Sequence, residues 1–238
     1  TPISDGPFRN GSMYLTYTNE GMPIGAFWGY KTDGLIQTQE QLNAVKRADF
    51  QPNAELGDVL FVDTNGDGKL DSSDRCMIGN PIPDIIYGIN MGMAWKGFDL
   101  NLQFGGTIGN QIFNAMRYYT YFPNDITNKD RALMNYWTPN NTNTDIPRLT
   151  ATDVNDNDRF SDMYVENGTY FRLRNAQLGY TLPASLTQRI KLQKVRFYVS
   201  GQNLFTISSY SGMDPEVGQS SSLSRGIDYG IYPQNISF

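Results

Sequence analysis

From Ile85 to Phe104 the chain alternates. Ile85, Tyr87, Ile89, Met91, Met93 and Trp95 take every second place, with Gly88, Asn90, Gly92 and Ala94 between them and Ile86 the one exception. Beyond Lys96 and Gly97 the alternation resumes, with Phe98, Leu100, Leu102 and Phe104 against Asp99, Asn101, Gln103 and Gly105. Period two over two runs of about ten residues, joined by a glycine-containing turn, predicts a long β-hairpin. One face is large and apolar, the other small or polar. A half-buried soluble hairpin has that pattern, and so has a membrane barrel with lipid outside and water within.

Other segments read less sharply. Met13 to Tyr17 suggests a short strand, and Gly21 to Tyr30, with Pro23, an edge strand or strand end. Gln37 to Ala48 is rich in helix formers and predicts a short helix within a loop. Gly57 to Val62 reads as a compact strand. Between Tyr170 and Tyr180 the phase breaks: Phe171 and Leu173 lie on one parity, Ala176, Leu178 and Tyr180 on the other. A β-bulge near Arg174 and Asn175 restores a single apolar face. Leu182 to Ile190 suits a helical turn or two, and Val195 to Leu204 a further strand. Gly105 to Gly168 shows little periodicity, and Ser208 to Tyr229 is rich in Ser, Gly and Asp. Both read as loops.

The order of these segments sorts the connections. If Lys96-Gly97 is a short turn on one side, the strand from Phe98 leads to the other side and the long stretch to Gly168. The strand from Tyr170 returns, Thr181 to Lys194 connects, and the strand from Val195 goes out to the loop from Ser208. Long loops on one side and short connections on the other are the habit of outer-membrane barrels, and a soluble sandwich has no need of it.

Composition narrows the function. With 19 basic and 24 acidic residues among 238 the net charge is −5, which disfavours a nucleic-acid partner. One cysteine, Cys76, excludes an intrachain disulfide framework, and the lack of histidine removes His-dependent triads, His general bases and the usual zinc sites. No apolar run is long enough for a transmembrane helix. No signal peptide is evident at Thr1, so a leader has been removed or the chain belongs to something longer. Abundant Tyr, Phe and Gly favour β structure with large loops.

Asp63-x-Asn65-x-Asp67-Gly68-x-x-Asp71-x-x-Asp74 carries oxygen ligands at positions one, three, five, nine and twelve of a calcium loop. Gly68 falls at the sharp-turn position and Lys69 offers its backbone carbonyl. Asp74 stands where an EF-hand has Glu, and a strand rather than a helix precedes the loop, so a structural Ca²⁺ site is expected outside a true EF-hand. The alternative is a metal-free Asx turn. Asp214, Glu216 and Asp228 are the carboxylates available for glycoside hydrolysis, but Asp-Pro-Glu is equally a turn, and nothing supplies a nucleophile–base pair. No enzymatic activity is expected. Tyr118, Tyr119, Tyr121 and Phe122 suit sugar stacking or partner anchoring, or more commonly a loop's own minicore. Arg172 and Arg174 are placed in a polar lumen or against acidic loops. Tyr87, Trp95, Phe98, Tyr180 and Phe197 read as lipid-facing or interfacial belt residues.

The segment Gly57 to Asp84, containing the Asp63–Asp74 loop and ending Ile78-Gly79-Asn80-Pro81-Ile82-Pro83-Asp84, resembles the one that typifies the SusC/RagA class of TonB-dependent outer-membrane receptors. Pro23 to Tyr30, Trp95 to Leu100, Tyr170 to Asn175, Leu178 to Pro183, Val199 to Phe205, Tyr210 to Glu216 and Asp228 to Pro233 are similar to the same class, in family order. The resemblance implies an all-β chain, the C-terminal segment of a large antiparallel transmembrane barrel with long extracellular loops. All of 1–238 would then be part of one barrel domain, with 57–84 embedding the calcium-type loop and the plug and N-terminal strands absent. It further implies import of glycan or peptide fragments across the outer membrane, a SusD-like surface lipoprotein as partner, and energy from TonB through the missing N-terminal part. Family members continue past the equivalent of Tyr232-Pro233-Gln234 into a full last strand, whereas only Asn235 to Phe238 follow here, so a shortened end is expected. The competing reading is a soluble extracellular β-domain, braced by calcium, that binds carbohydrate.

Overall fold

The computed structural model describes residues 2–8, 13–121, 128–217, 221–230 and 235–238. Strands β1 (Ile3–Phe8), β2 (Met13–Thr18), β3 (Ala26–Gly29) and β4 (Thr32–Leu35) precede helix α1 (Gln39–Arg47). Next, β5 (Val59–Phe61) and β6 (Cys76–Gly79) lead to β7 (Ile85–Trp95) and β8 (Phe98–Ile108). They are followed by β9 (Gln111–Asn114), α2 (Ala115–Tyr121), β10 (Val165–Asn167) and β11 (Tyr170–Thr181). The last elements are α3 (Ala184–Thr187), β12 (Arg196–Ser208) and β13 (Ile227–Asp228). The chain divides into two compact units, one of residues 1–82, 111–166 and 217–231, the other of 83–110, 167–216 and 232–238.

The second unit is the wall that the alternation predicts. Its sheet runs β12-β11-β8-β7, antiparallel throughout. Lys96 and Gly97 both have positive φ, 46° and 88°, and join the pair Trp95↔Phe98. That is the two-residue primed turn whose twist matches a hairpin. Met91 lies opposite Leu102, and Met93 opposite Leu100, on one face; Asn90 lies opposite Gln103 and Gly92 opposite Asn101 on the other. Leu102 continues to Ala176 and Gly201, and Leu100 to Leu178 and Val199. The register shifts between Leu173 and Asn175 against both neighbours, so Arg174 is the extra residue of the expected bulge. Aromatic rings stack across the apolar face: Phe171 sits 5.2 Å from Phe104 and 6.4 Å from Tyr87, and Phe98 4.5 Å from Tyr180. The Tyr87 ring covers Gly106, where a Cβ would lie 2.8 Å from its Cζ, and its hydroxyl donates to the Tyr170 carbonyl at 3.0 Å.

The first unit is built from segments that lie, along the chain, before, between and after the wall strands. β1-β2-β3-β6 form an antiparallel sheet, β10-β9-β13 a second with β13 parallel to β9, and β4-β5 a third. Phe27, Phe113, Phe160, Tyr164 and Ile227, from widely separated segments, share one buried cluster. Val59, Phe61, Phe50 and Trp137 share another. The stretch after β8 is therefore more structured than its lack of period suggests: it supplies β9, α2, β10 and two 3₁₀ turns among the described residues. β3 is also not an edge strand, since it lies between β2 and β6; Pro23 falls before it and costs no ladder bond. The short helix is as expected. Thr38 caps α1 by accepting from the Gln41 amide at 3.2 Å, and Gln41 Oε1 accepts in return from the Thr38 amide at 3.1 Å.

No helix among the described residues is long and apolar enough to cross a membrane, which says nothing of crossing by strands.

Candidate functional site

The wall presents two faces of opposite chemistry. On the apolar face Met93 and Trp95 are each 67% exposed and Val199 65%, and Ile89, Met91, Phe98, Phe197 and Ile207 are exposed as well. An apolar patch running the length of three strands is far beyond what a water-facing surface normally carries. Of the expected belt residues, Trp95, Phe98 and Phe197 are exposed there, while Tyr87 and Tyr180 are partly covered by neighbouring rings.

The polar face carries two ionic clusters. Near the Lys96-Gly97 turn, Arg196 donates from Nε to Asp99 Oδ2 at 3.0 Å and from Nη2 to Oδ1 at 2.5 Å. The pair reaches across β11 above Gly179, where a Cβ would fall 2.6 Å from the Asp99 carboxylate. At the opposite end of the strands, Arg172 Nη1 donates to Glu216 Oε2 at 2.9 Å and its Nη2 to Asp214. Arg174 Nη2 donates to Glu216 Oε1 at 3.1 Å and to the Tyr170 hydroxyl at 3.1 Å. The bulge places this second arginine beside the first, and Gly105 opposite leaves it space. The sequence offered a polar lumen or acidic loops for the arginines; they lie on the polar face of the wall and pair there with the acidic segment Asp214–Glu216. Asp214 and Glu216 are taken up by this pairing; Asp228 belongs to the other unit, buried, its Oδ1 accepting from the Gly230 amide. Tyr118 is buried and packs edge-on against Tyr164 at 5.2 Å and Tyr119 at 5.5 Å, which is the minicore use of that run. Tyr121 lies under the Arg117 guanidinium. Phe122 and Tyr232-Pro233-Gln234 lie outside the described residues.

The Asp63–Asp74 loop follows β5 directly, as a strand-led loop should. Asp63 accepts from the Gly66 amide at 2.6 Å and the Gly68 amide at 2.8 Å, and both glycines have φ near the left-handed region, 77° and 78°. Asn65 accepts from the Asp67 amide, Asp67 from the Lys69 amide, and Asp71 caps a 3₁₀ turn through Ser73. The Ser73 hydroxyl and amide hold the Asp71 carboxyl below the usual carboxylate range. Asp74 is fully buried and fastens the loop's ends, accepting from Thr64 and Asp71 amides at 3.0 Å each. Among the described residues no group of three or more His, Cys, Asp or Glu side chains is poised to hold a metal. The carboxylates are turned onto backbone amides, and Asp71 Oδ1 accepts from both the amide and the hydroxyl of Ser73.

A polar network that no motif in the sequence announces runs along β5. Val59 donates its amide to Asn157 Oδ1 at 2.8 Å and accepts from Gln51 Nε2 at 2.9 Å, while Phe61 donates to Gln51 Oε1 at 3.1 Å. Side-chain amides thus serve β5 as a neighbouring strand would. Buried Asp58 beside them accepts from Arg148 Nε at 2.6 Å, Asn157 Nδ2 at 3.0 Å and the Glu55 amide at 2.8 Å. The alternation of Asn155 and Asn157 was the one visible trace.

A sided antiparallel wall with one apolar and one charged face defines part of a membrane β-barrel. Comparison with known proteins agrees. The chain is 38% identical over 229 residues to TonB-dependent receptor P3 of Formosa agariphila, covering 92% of this chain and 22% of that protein. It is 30% identical over 190 residues to TonB-dependent receptor SusC of Bacteroides thetaiotaomicron, covering 79% of this chain and 18% of SusC. A solved structure of the RagAB peptide transporter superposes with a TM-score of 0.70 at 25% identity, over 93% of this chain and 22% of the solved one. No family model matches the chain. The chain is homologous to TonB-dependent receptors of the SusC/RagA class and forms part of such a barrel. It spans about a fifth of the length of these relatives.

Proposed function

We propose that this chain is the C-terminal part of the barrel of an outer-membrane nutrient importer, without enzymatic activity of its own. The observation that carries the reading is the two-faced wall: Met91, Met93, Trp95, Phe197 and Val199 are exposed on one face, which lipid covers in this reading, while Asn90, Asn101, Gln103 and the arginine clusters lie on the other, which lines the lumen. A wall of this kind, whose β12 edge is met among the described residues by the single Gln202–Ser237 bridge, needs the rest of a barrel to close it. The segments Asp63–Asp74, 109–168 and 209–229 then lie outside the cell. The cargo is an oligosaccharide or peptide fragment, the partner a SusD-like lipoprotein over the outer mouth, and the energy source TonB; likeness to TonB-dependent receptors supports the last, and likeness to the RagAB peptide transporter the peptide. In the intact receptor reconstituted in lipid, brominated acyl chains should quench Trp95, and cells carrying the receptor should take up labelled oligosaccharide or oligopeptide only with an energised inner membrane. Recovery of the receptor as a soluble protein, or uptake indifferent to the inner-membrane gradient, refutes the reading.

We propose also that the Asp63–Asp74 loop takes Ca²⁺ through Asp63, Asn65, Asp67, the Lys69 carbonyl, Asp71 and Asp74. The spacing of oxygens supports it, and binding requires the carboxylates to turn from their amides toward a shared centre.

A further inference from the structure

We infer that Arg174, with Arg172 beside it, is a carboxylate-binding site on the barrel's inner face, held in this structure by the chain's own Glu216. The inference rests on the reading of the polar face as the lumen of an importer. Glu216 shows the geometry a ligand carboxylate would take. Its Oε1 lies 3.1 Å from Arg174 Nη2, and its Oε2 lies 3.3 Å from Arg174 Nη1 and 2.9 Å from Arg172 Nη1. Planar guanidinium forks of this kind match a carboxylate better than a point charge does.

The cluster divides into a fixed half and an exchangeable half. Arg172 and Asp214 have side chains only 4% and 11% exposed, and Arg172 is further held by donating from Nε to Thr206 Oγ1 at 2.9 Å. Arg174 and Glu216 are 37% and 44% exposed. An ion pair open to water to that extent contributes little and is readily replaced, whereas separating the buried pair would strand a charge. A ligand carboxylate therefore displaces Glu216 from Arg174 while Asp214 keeps the loop's root in place. The site is also shaped for Arg174 rather than accidental to it. The bulge supplies the extra residue, Gly105 leaves room where a Cβ would sit 2.6 Å from Arg174 Nε, and the Tyr170 hydroxyl accepts from Nη2. Displacement loosens the segment 209–216 at Glu216 while Asp214 still anchors it, so that arrival of an anionic solute is reported to a loop at the mouth of the barrel.

A carboxylate reaches such a site from a peptide C-terminus or from a uronic acid. Hydrogen exchange of segment 209–216 in the full-length receptor in detergent, at matched ionic strength, tests the assignment. Trialanine should speed exchange there and trialanine amide should not; trigalacturonate acting where maltotriose does not would mark the sugar source. Arg174→Gln should erase the difference between trialanine and its amide. Glu216→Gln, which removes the tethered carboxylate, should speed exchange there without ligand, and trialanine should then add little. Equal effects of trialanine and its amide on the unaltered receptor, or a difference that survives Arg174→Gln, overturn the assignment. Failure of energised uptake alone would refute the importer reading and leave this binding result standing.

Discussion

Asp58 is the most exposed to a single loss of partner. Its side chain is completely buried, and it leans on Arg148, whose own side chain is 20% exposed. Burial works against the charge on Arg148, but the hydrogen bond and charge of Asp58 outweigh it and hold the guanidinium above its ordinary pKa. Replacing Arg148 by Ala leaves the carboxylate with two donors, Asn157 Nδ2 and the Glu55 amide. Removing one partner of a buried pair typically costs 3–5 kcal/mol; with those two donors retained, about 3 kcal/mol is expected. At 1.4 kcal/mol per decade, that is roughly a hundredfold rise in local opening. Hydrogen exchange of the amides from Asp58 to Phe61 in the full-length receptor reads it directly, since Val59 and Phe61 donate to side chains of the same network. The double replacement Asp58→Asn with Arg148→Gln removes both charges and should recover much of the protection, because no ion is then left stranded. Protection in Arg148→Ala within twofold of the unaltered chain, or a double variant no better than the single, refutes the account.

Other outcomes follow from the same geometry. Met91→Arg, on the apolar face, should destabilise the barrel in lipid by about 2–4 kcal/mol if it sits near mid-membrane, whereas Asn90→Arg should cost much less, as measured by denaturant titration in vesicles. Gly179→Ala should part Asp99 from Arg196, whose flexible ends can move aside, and should shift the midpoint of that titration far less than Met91→Arg does. Burial pushes the Asp153 carboxyl above the usual carboxylate range, against the lowering effect of the Asn157 amide and with Asp156 and Asp58 adding to the rise. The folded state therefore holds that proton more tightly than the unfolded chain. Its contribution to stability is full below the ordinary carboxylate pKa and is lost as pH rises through the raised value. Asp153→Asn should flatten that loss, seen as neutral-pH protection of segment 150–160 above that of the unaltered chain. For the Asp63–Asp74 loop, added Ca²⁺ should slow protease cleavage between the two ends, and Asp63→Ala with Asp67→Ala should abolish the effect.

The wall was legible in the sequence because its information is local. Alternation from Ile85 to Phe104 names both faces, Lys96-Gly97 names the turn, and the parity break at Leu173 names the bulge, since a period of two leaves only one way to keep an apolar face continuous. The capped helix after Thr38 was legible for the same reason. What the tertiary structure alone decided is how the non-periodic segments fold. Phe27, Phe113, Phe160 and Ile227 come from four distant stretches, and no window of sequence contains the partners that bury them. The pairing of Arg172 and Arg174 with Asp214 and Glu216 spans 42 to 44 positions, and that of Arg148 with Asp58 spans 90. Spacing can announce an acidic loop or a pair of arginines; only the chain's return brings them within hydrogen-bonding distance. The Asp63–Asp74 loop shows the limit from the other side: its spacing suits a cation, but the orientation of its carboxylates, set by Gly66, Gly68 and Ser73, is a three-dimensional matter.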